Sequence, residues 1–213
     1  MGVAEELVEK ARAGAPAGEC AVAAEGDELE LAVVLRPSVP MSHYMGIRPV
    51  CALGALDGLR PLRSDLALAW PGDVVVPGED GHAERVVCSL DVHAGTGEAG
   101  MFVVCSANVS LDWCEGASAD ALTHGVCSAV VSRVDAWAAD VAAGRGAAGP
   151  VAPVLSDYFD ALALMGHEAD VVYPNGRVAA RGTLAAVDVW GRATVRLADG
   201  RELVISPEQV SLR

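Results

Sequence analysis

The spacing of apolar residues changes at Gly166, and that change divides the chain into two dissimilar pieces. From Ser118 to Ala143 the apolar positions are Ala121, Leu122, Val126, Ala129, Val130, Val134, Trp137 and Val141, the recurrence of one long helix, with Gly125 as a candidate break. Beyond Gly166 the runs Val171–Tyr173, Ala179–Val187, Ala193–Leu197 and Glu202–Ile205 are short and strand-like. Asn175-Gly176, Trp190-Gly191 and Asp199-Gly200 are the turns between them. Strands this short and closely spaced bury an apolar face by curling on themselves, which predicts a small β-barrel over 167–213. Residues 1–166 mix helices with strands, which predicts an α/β unit of α+β type: a mixed central sheet flanked by helices.

Within the larger unit, Glu5–Ala13 reads as a helix stopped by Gly14-Ala15-Pro16. Cys20–Ala24 and Leu29–Leu35 read as a hairpin around the polar turn Glu25-Gly26-Asp27-Glu28. A helix is expected over Tyr44–Leu59, and strands over Leu66–Trp70, Val74–Val76, Arg85–Val92 and Met101–Leu111. The last two are joined by His93-Ala94-Gly95-Thr96-Gly97, read as a flexible connection. Gly144–Pro153 is a linker, and a final helix is expected over Val154–Leu164.

Charge excludes whole classes of partner. The net charge is −14, and Lys10 is the only lysine among 213 residues. Residues 1–166 carry 23 acids against 9 bases, whereas 167–213 carry 6 of each. Nucleic acids and anionic membrane surfaces require a basic face, so neither is an expected partner. No apolar run is long enough to span a bilayer, and the acidic N-terminus lacks the pattern of a secretory signal, so a cytoplasmic location is expected. None of the six cysteines forms C-x-x-C or lies at zinc-ligand spacing from a histidine. They read as reduced structural thiols, and no metal is expected. The five histidines are scattered in the same way.

Several stretches, taken in order, resemble the biotin protein ligase family. Gly14–Glu25 is similar to the end of that family's first helix and its first strand. Leu31–Pro37, closing on Leu-Arg-Pro, is similar to the strand that follows its biotin loop. Leu68-Ala69-Trp70-Pro71-Gly72-Asp73 resembles its Lys-Trp-Pro-Asn-Asp motif, and Asn108-Val109 the end of its Gly-Ile-Asn-Val strand. Tyr158–Arg213 is similar throughout, with Met165-Gly166 opening and Val210–Arg213 closing a Src-homology-3-like barrel. The resemblance implies a catalytic-type domain over 1–166 and that barrel over 167–213. The chemistry it implies is ATP-dependent activation of biotin to biotinyl-adenylate, followed by capture on a carrier lysine.

The departures fall on the cations this chemistry needs. Joining a carboxylate to a phosphate requires positive charge and N–H groups aimed at the developing anion. The family's Gly-Arg-Gly-Arg-x-Gly-Arg loop is absent, its place taken by Gly26-Asp27-Glu28. Ala69 stands at the first lysine and Gly72 at the asparagine, and the second lysine falls on Arg85 or Glu84. Gly2-Val3-Ala4 replaces the opening Ser-Thr-Asn, and Val104–Asn108 replaces the glycine-rich strand. The residues left as candidates are Arg85 for anion contact, and Trp70, Asp73 and Asn108 for the nucleotide. Beside these stand plainer roles: Trp70 as core, Pro71 as a strand terminator, Asn108 as a strand-end residue, Arg36 in structural ion pairs, Trp113 and Trp137 in packing.

Three readings of function follow. One is a catalytically impaired ligase-like protein, a pseudoenzyme, that binds or regulates a biotin carboxyl carrier domain or an intact ligase, with a homodimer through a sheet edge as its assembly. A second is a residual biotin ligase using other residues, for which alone biotin and ATP would be ligands. A third is a small-ligand sensor. Without a preceding winged-helix region, a repressor role is not expected.

Overall fold

The computed structural model describes residues 2–113 and 117–213. Cys114 therefore lies outside the described residues. In chain order the elements are α1 (Val3–Arg12), β1 (Cys20–Glu25), β2 (Glu28–Leu35), a 3-10 turn at Met41–Gly46, α2 (Ile47–Leu59), β3 (Ala67–Ala69), β4 (Asp73–Pro77), β5 (Ala83–Gly97), β6 (Gly100–Ser110) and α3 (Ala119–Ala142). A short turn at Ala152–Val154 leads to α4 (Leu155–Ala161), then β7 (Glu168–Val172), β8 (Val178–Val187), β9 (Ala193–Leu197), β10 (Glu202–Ile205) and β11 (Ser211–Leu212).

The first sheet has the order β1-β2-β6-β5-β4-β3, and the second β10-β9-β8-β7-β11. Every ladder between these strands is antiparallel, which corrects the expected mixed sheet. The reason is connectivity. Neighbours such as β1–β2 and β5–β6 are joined by tight hairpins, whereas parallel neighbours need a long crossover. The second sheet is likewise open, since no ladder joins its outer strands β10 and β11. No helix among the described residues is long and apolar enough to cross a membrane.

One face of the first sheet packs on α2 and α3. Leu29, Leu31, Val33 and Leu35 of β2 join Val103, Cys105, Ala107 and Val109 of β6 in a cluster that takes in Leu56, Val130 and Trp137. The same cluster continues to Leu184 and Val195 of the second sheet. The helices approach closely because glycine lets them. A Cβ on Gly54 would lie 2.6 Å from the Val130 Cα, and one on Gly58 would lie 2.8 Å from the Gly125 carbonyl oxygen. α3 thus runs unbroken through Gly125, contrary to the expected break, because that glycine serves a helix–helix contact. Ser118 caps its start, the Oγ accepting from the Ala121 amide at 3.1 Å.

The opposite face packs Ala32, Val34, Phe102 and Val104 on Leu7 and Ala11 of α1. Arg36 fixes the far end of this helix by donating to the Ala11 and Ala15 carbonyls at 2.7 and 2.9 Å. The expected ion pairing of Arg36 is corrected: the guanidinium serves carbonyls at a helix C-terminus, where positive charge is favoured. The supposedly flexible His93–Gly97 stretch is also corrected, because β5 runs through it. Gly95 lies under the Phe102 ring, where a Cβ would come within 2.7 Å, and Gly97 abuts the Arg12 carbonyl. These glycines permit close approach.

Gly54→Ala should lower stability by about 1–3 kcal/mol, since its methyl must displace helix backbone. Urea unfolding measures this, and an unchanged midpoint would count against the packing described.

Candidate functional site

Beyond the end of α1, the outer face of the sheet is polar. Parity sets which residues lie there: those alternating with the core positions of β2, β6 and β5. Glu30, Asn108 and Ser89 form one cross-strand row, and Asp91 pairs with Ser106 in the next. Glu28 faces Ser110 across β2 and β6. Asn108, Ser89 and Asp91 are exposed, and Glu30 is half-buried against the start of α1.

That helix start is already supplied with negative charge. The Ala4 amide donates to Glu30 Oε1 at 3.4 Å, and the Gly2 amide to Glu5 Oε2 at 3.3 Å. Helix N-termini attract anions through their free N–H groups and dipole. Here carboxylates of the same chain take up that capacity.

Arg85 lies on β5 opposite Val76, and its guanidinium is ion-paired with Asp112. Asp112 is held in turn by Ser110, whose Oγ donates to Oδ1 at 2.6 Å. Arg85 thus reaches Asp112, just beyond the end of β6, and the arginine's charge is matched. Glu28, Glu30 and Asp91 leave this face acidic. A surface like this can bind a cation or a basic group; it is badly suited to holding two anions together.

Trp70 and Asp73 serve the framework. Trp70 is 3% exposed, and its Nε1 donates to the Gly191 carbonyl in the second sheet at 3.1 Å. The following Pro71 carbonyl accepts from the Tyr158 hydroxyl at 2.8 Å, a phenol whose pKa burial raises well above its usual range. Asp73 Oδ1 accepts from the Leu90 amide at 3.1 Å, while Arg48 Nη2 donates to the Leu90 carbonyl at 2.8 Å. The two side chains take over where the β4–β5 ladder ends at Cys88. Gly72 is pressed on α2, its Cβ position 3.1 Å from that of Ala52.

Beside this junction lies a cavity of about 480 Å³, lined by Met45, Arg48, Pro71, Trp190, Arg192 and Glu208 among others. Arg192 is paired with Asp188 at 2.6 Å, whereas Arg48 Nε is buried and has no partner among the described residues. No cluster of potential metal ligands occurs among the described residues.

The cross-strand partners Glu30, Asp91 and Asp112, and the cavity residue Arg48, were not among the sequence candidates. Alternation in β2 puts Glu28 and Glu30 opposite in parity to Leu29 and Leu31, a signal the sequence carries. The Asp112 pairing with Arg85 depends on how the ends of β5 and β6 lie together in the fold.

The Biotin/lipoate A/B protein ligase family model matches residues 1–120. No curated protein matches the sequence significantly. Among solved structures, a biotin protein ligase-like protein of unknown function from Silicibacter sp. TM1040 has a TM-score of 0.67 at 19% identity, covering 96% of this chain and 90% of that one. The apo biotin protein ligase of Aquifex aeolicus gives 0.72 at 14% identity, covering 99% and 94%. The biotin protein ligase from Aquifex aeolicus in complex with biotin and ATP gives 0.64 at 12% identity, covering 89% and 79%. At these identities the likeness establishes a shared fold.

Trp70→Phe should cost about 1–3 kcal/mol, because it leaves the Gly191 carbonyl buried without its donor. Thermal unfolding monitored by circular dichroism tests this, and a variant as stable as the parent would show that the bond is dispensable.

Proposed function

Because the chain belongs to the biotin/lipoate A/B protein ligase family, we propose that it is a biotin protein ligase-like protein with impaired transfer chemistry, acting by binding. The partner we assign is a biotin carboxyl carrier domain or an intact ligase. One observation carries the reading: Arg85 is matched by Asp112, and on the outer sheet face Glu30 lies against the start of α1.

Magnitude decides against the family's reaction. A phosphate oxygen about 6 Å from one carboxylate is repelled by about 3 kcal/mol at an effective dielectric of about 20. That is about a hundredfold in affinity before any catalytic donor is considered. Each missing oxyanion donor removes a further factor of about 10² to 10³ in rate. The turn at Gly26-Asp27 is too short to fold over a ligand and exclude water. These residues do not fit biotin and ATP together. In the same proposal, 1–166 is the ligase-like unit and 167–213 a Src-homology-3-like unit, and the setting is the cytoplasm. The free edge strand β1 is the surface for a homodimer. The cavity beside Arg48 favours a second reading, a sensor for a small ligand.

Protein incubated with biotin, Mg-ATP and a carrier domain should leave the carrier mass unmodified, and adding an intact ligase should restore the product. Calorimetry should detect saturable binding of the unmodified carrier or of the intact ligase. Stoichiometric biotinylation by this chain alone would overturn the impaired reading, and Arg85→Ala would then be the first variant to test. Binding to neither partner would remove the binding role and leave the sensor reading.

A further inference from the structure

Five cysteines lie within the described residues, and they differ sharply in exposure. Cys51, Cys88 and Cys105 are sealed in the core, at 2% exposure or less. A hydrogen bond with Cys105, together with burial, pushes the Cys51 thiol well up, and burial pushes Cys88 up. Thiols of this kind stay protonated and unreactive.

Cys20 is different. It is exposed, at the first position of the edge strand β1, in the cross-strand row that runs through Val33 to Cys105. It shares the wall of a cavity of about 500 Å³ with Cys127, His124 and Ser128 of α3. Cys127 is 4% exposed and belongs to the main core cluster. The two thiols line one cavity, and the Cys20 S–H donates a hydrogen bond to the Gly18 carbonyl at 3.2 Å. The Cys127 S–H holds the Cys20 thiol below its ordinary pKa, against burial and the nearby Glu19. The same contact, followed by burial, pushes Cys127 up. An accessible thiol that ionises readily thus faces a sheltered thiol that keeps its proton, beside a cavity wide enough for a small oxidant.

We infer that Cys20 and Cys127 are a redox-active pair that peroxides convert to an intramolecular disulfide tying β1 to α3. The Cys20 thiolate attacks a peroxide oxygen, the O–O bond breaks, and with a proton the leaving oxygen departs as water when the oxidant is hydrogen peroxide. Cys20 becomes a sulfenic acid. The Cys127 sulfur then attacks the Cys20 sulfur. The S–S bond forms, the S–O bond breaks, and the Cys127 proton leaves with that hydroxyl as a second water. Two thiols are oxidised and one peroxide is reduced. Among the described residues β1 has no neighbour on its outer side, so the link would clamp the edge of the sheet to the helix layer.

The test treats the purified protein with hydrogen peroxide and maps it without reduction, using tryptic and glutamate-specific cleavage to separate Cys127 from the cysteines before it. A loss of two hydrogens with a peptide linking Cys20 to Cys127 is expected. Cys20→Ser should abolish the link. Cys127→Ala should leave a sulfenic acid at Cys20 that a dimedone-type trap labels, and should slow alkylation of Cys20 at neutral pH several-fold. Because truncating a buried thiol can unsettle the fold, the wild-type map stands by itself. A link between any other pair would overturn the inference, as would Cys20 oxidised to sulfinic acid beside a free Cys127, or Cys20 unmodified by excess peroxide.

Discussion

The alternation of β2 and β6, and of β5 beyond Cys88, is the constraint on which the rest of this molecule depends. A strand has two faces, so each leucine, valine or cysteine aimed at α2 and α3 forces its neighbours outward. On the inward side this builds a core that continues without interruption into the second sheet. Helices can cover that side closely only because Gly54 and Gly58 let the backbone of α3 touch α2. Shifting β2 or β5 by one residue would place Glu30 or Asp91 in the core, at a cost no local contact could offset.

The outward side is where consequences for chemistry arise. α1 covers its apolar part through Leu7 and Ala11, and leaves the rest to water. In that remaining area the sequence presents Glu28, Glu30 and Asp91, with Arg85 bound to Asp112. The scaffold around Pro71 rests on the Trp70 and Tyr158 contacts, whereas this face carries acidic charge. Scaffold and chemistry separate cleanly because the first rests on buried apolar rows and the second on exposed polar ones.

Much of the fold is legible in the sequence. The β1–β2 hairpin, the long α3 and the run of short strands after Gly166 follow from period and turn residues, and the family resemblance agrees with the model match over residues 1–120. The errors share a cause. Gly95, Gly97 and Gly125 read as flexible or helix-breaking, because composition cannot distinguish freedom from close approach to a partner distant in sequence. Sheet direction is hidden for a similar reason, as β2 pairs with β6 across α2 and three other strands. At the site, Trp70, Asp73, Asn108 and Arg85 could be named from motif positions. Their surroundings could not, because Asp112 and Gly191 reach them only through the folded register. Cys20 and Cys127 come to line one cavity in the same way, between the first strand and the third helix.

Titration calorimetry with biotin, run without and with Mg-ATP, tests most directly whether the outer sheet face can still bring two anions together. An acidic face should give no saturable heat for Mg-ATP and a biotin titration that ATP leaves unchanged. Stoichiometric ATP binding that tightens biotin would show that cations reach this face after all, and would contradict the electrostatic reading of the site.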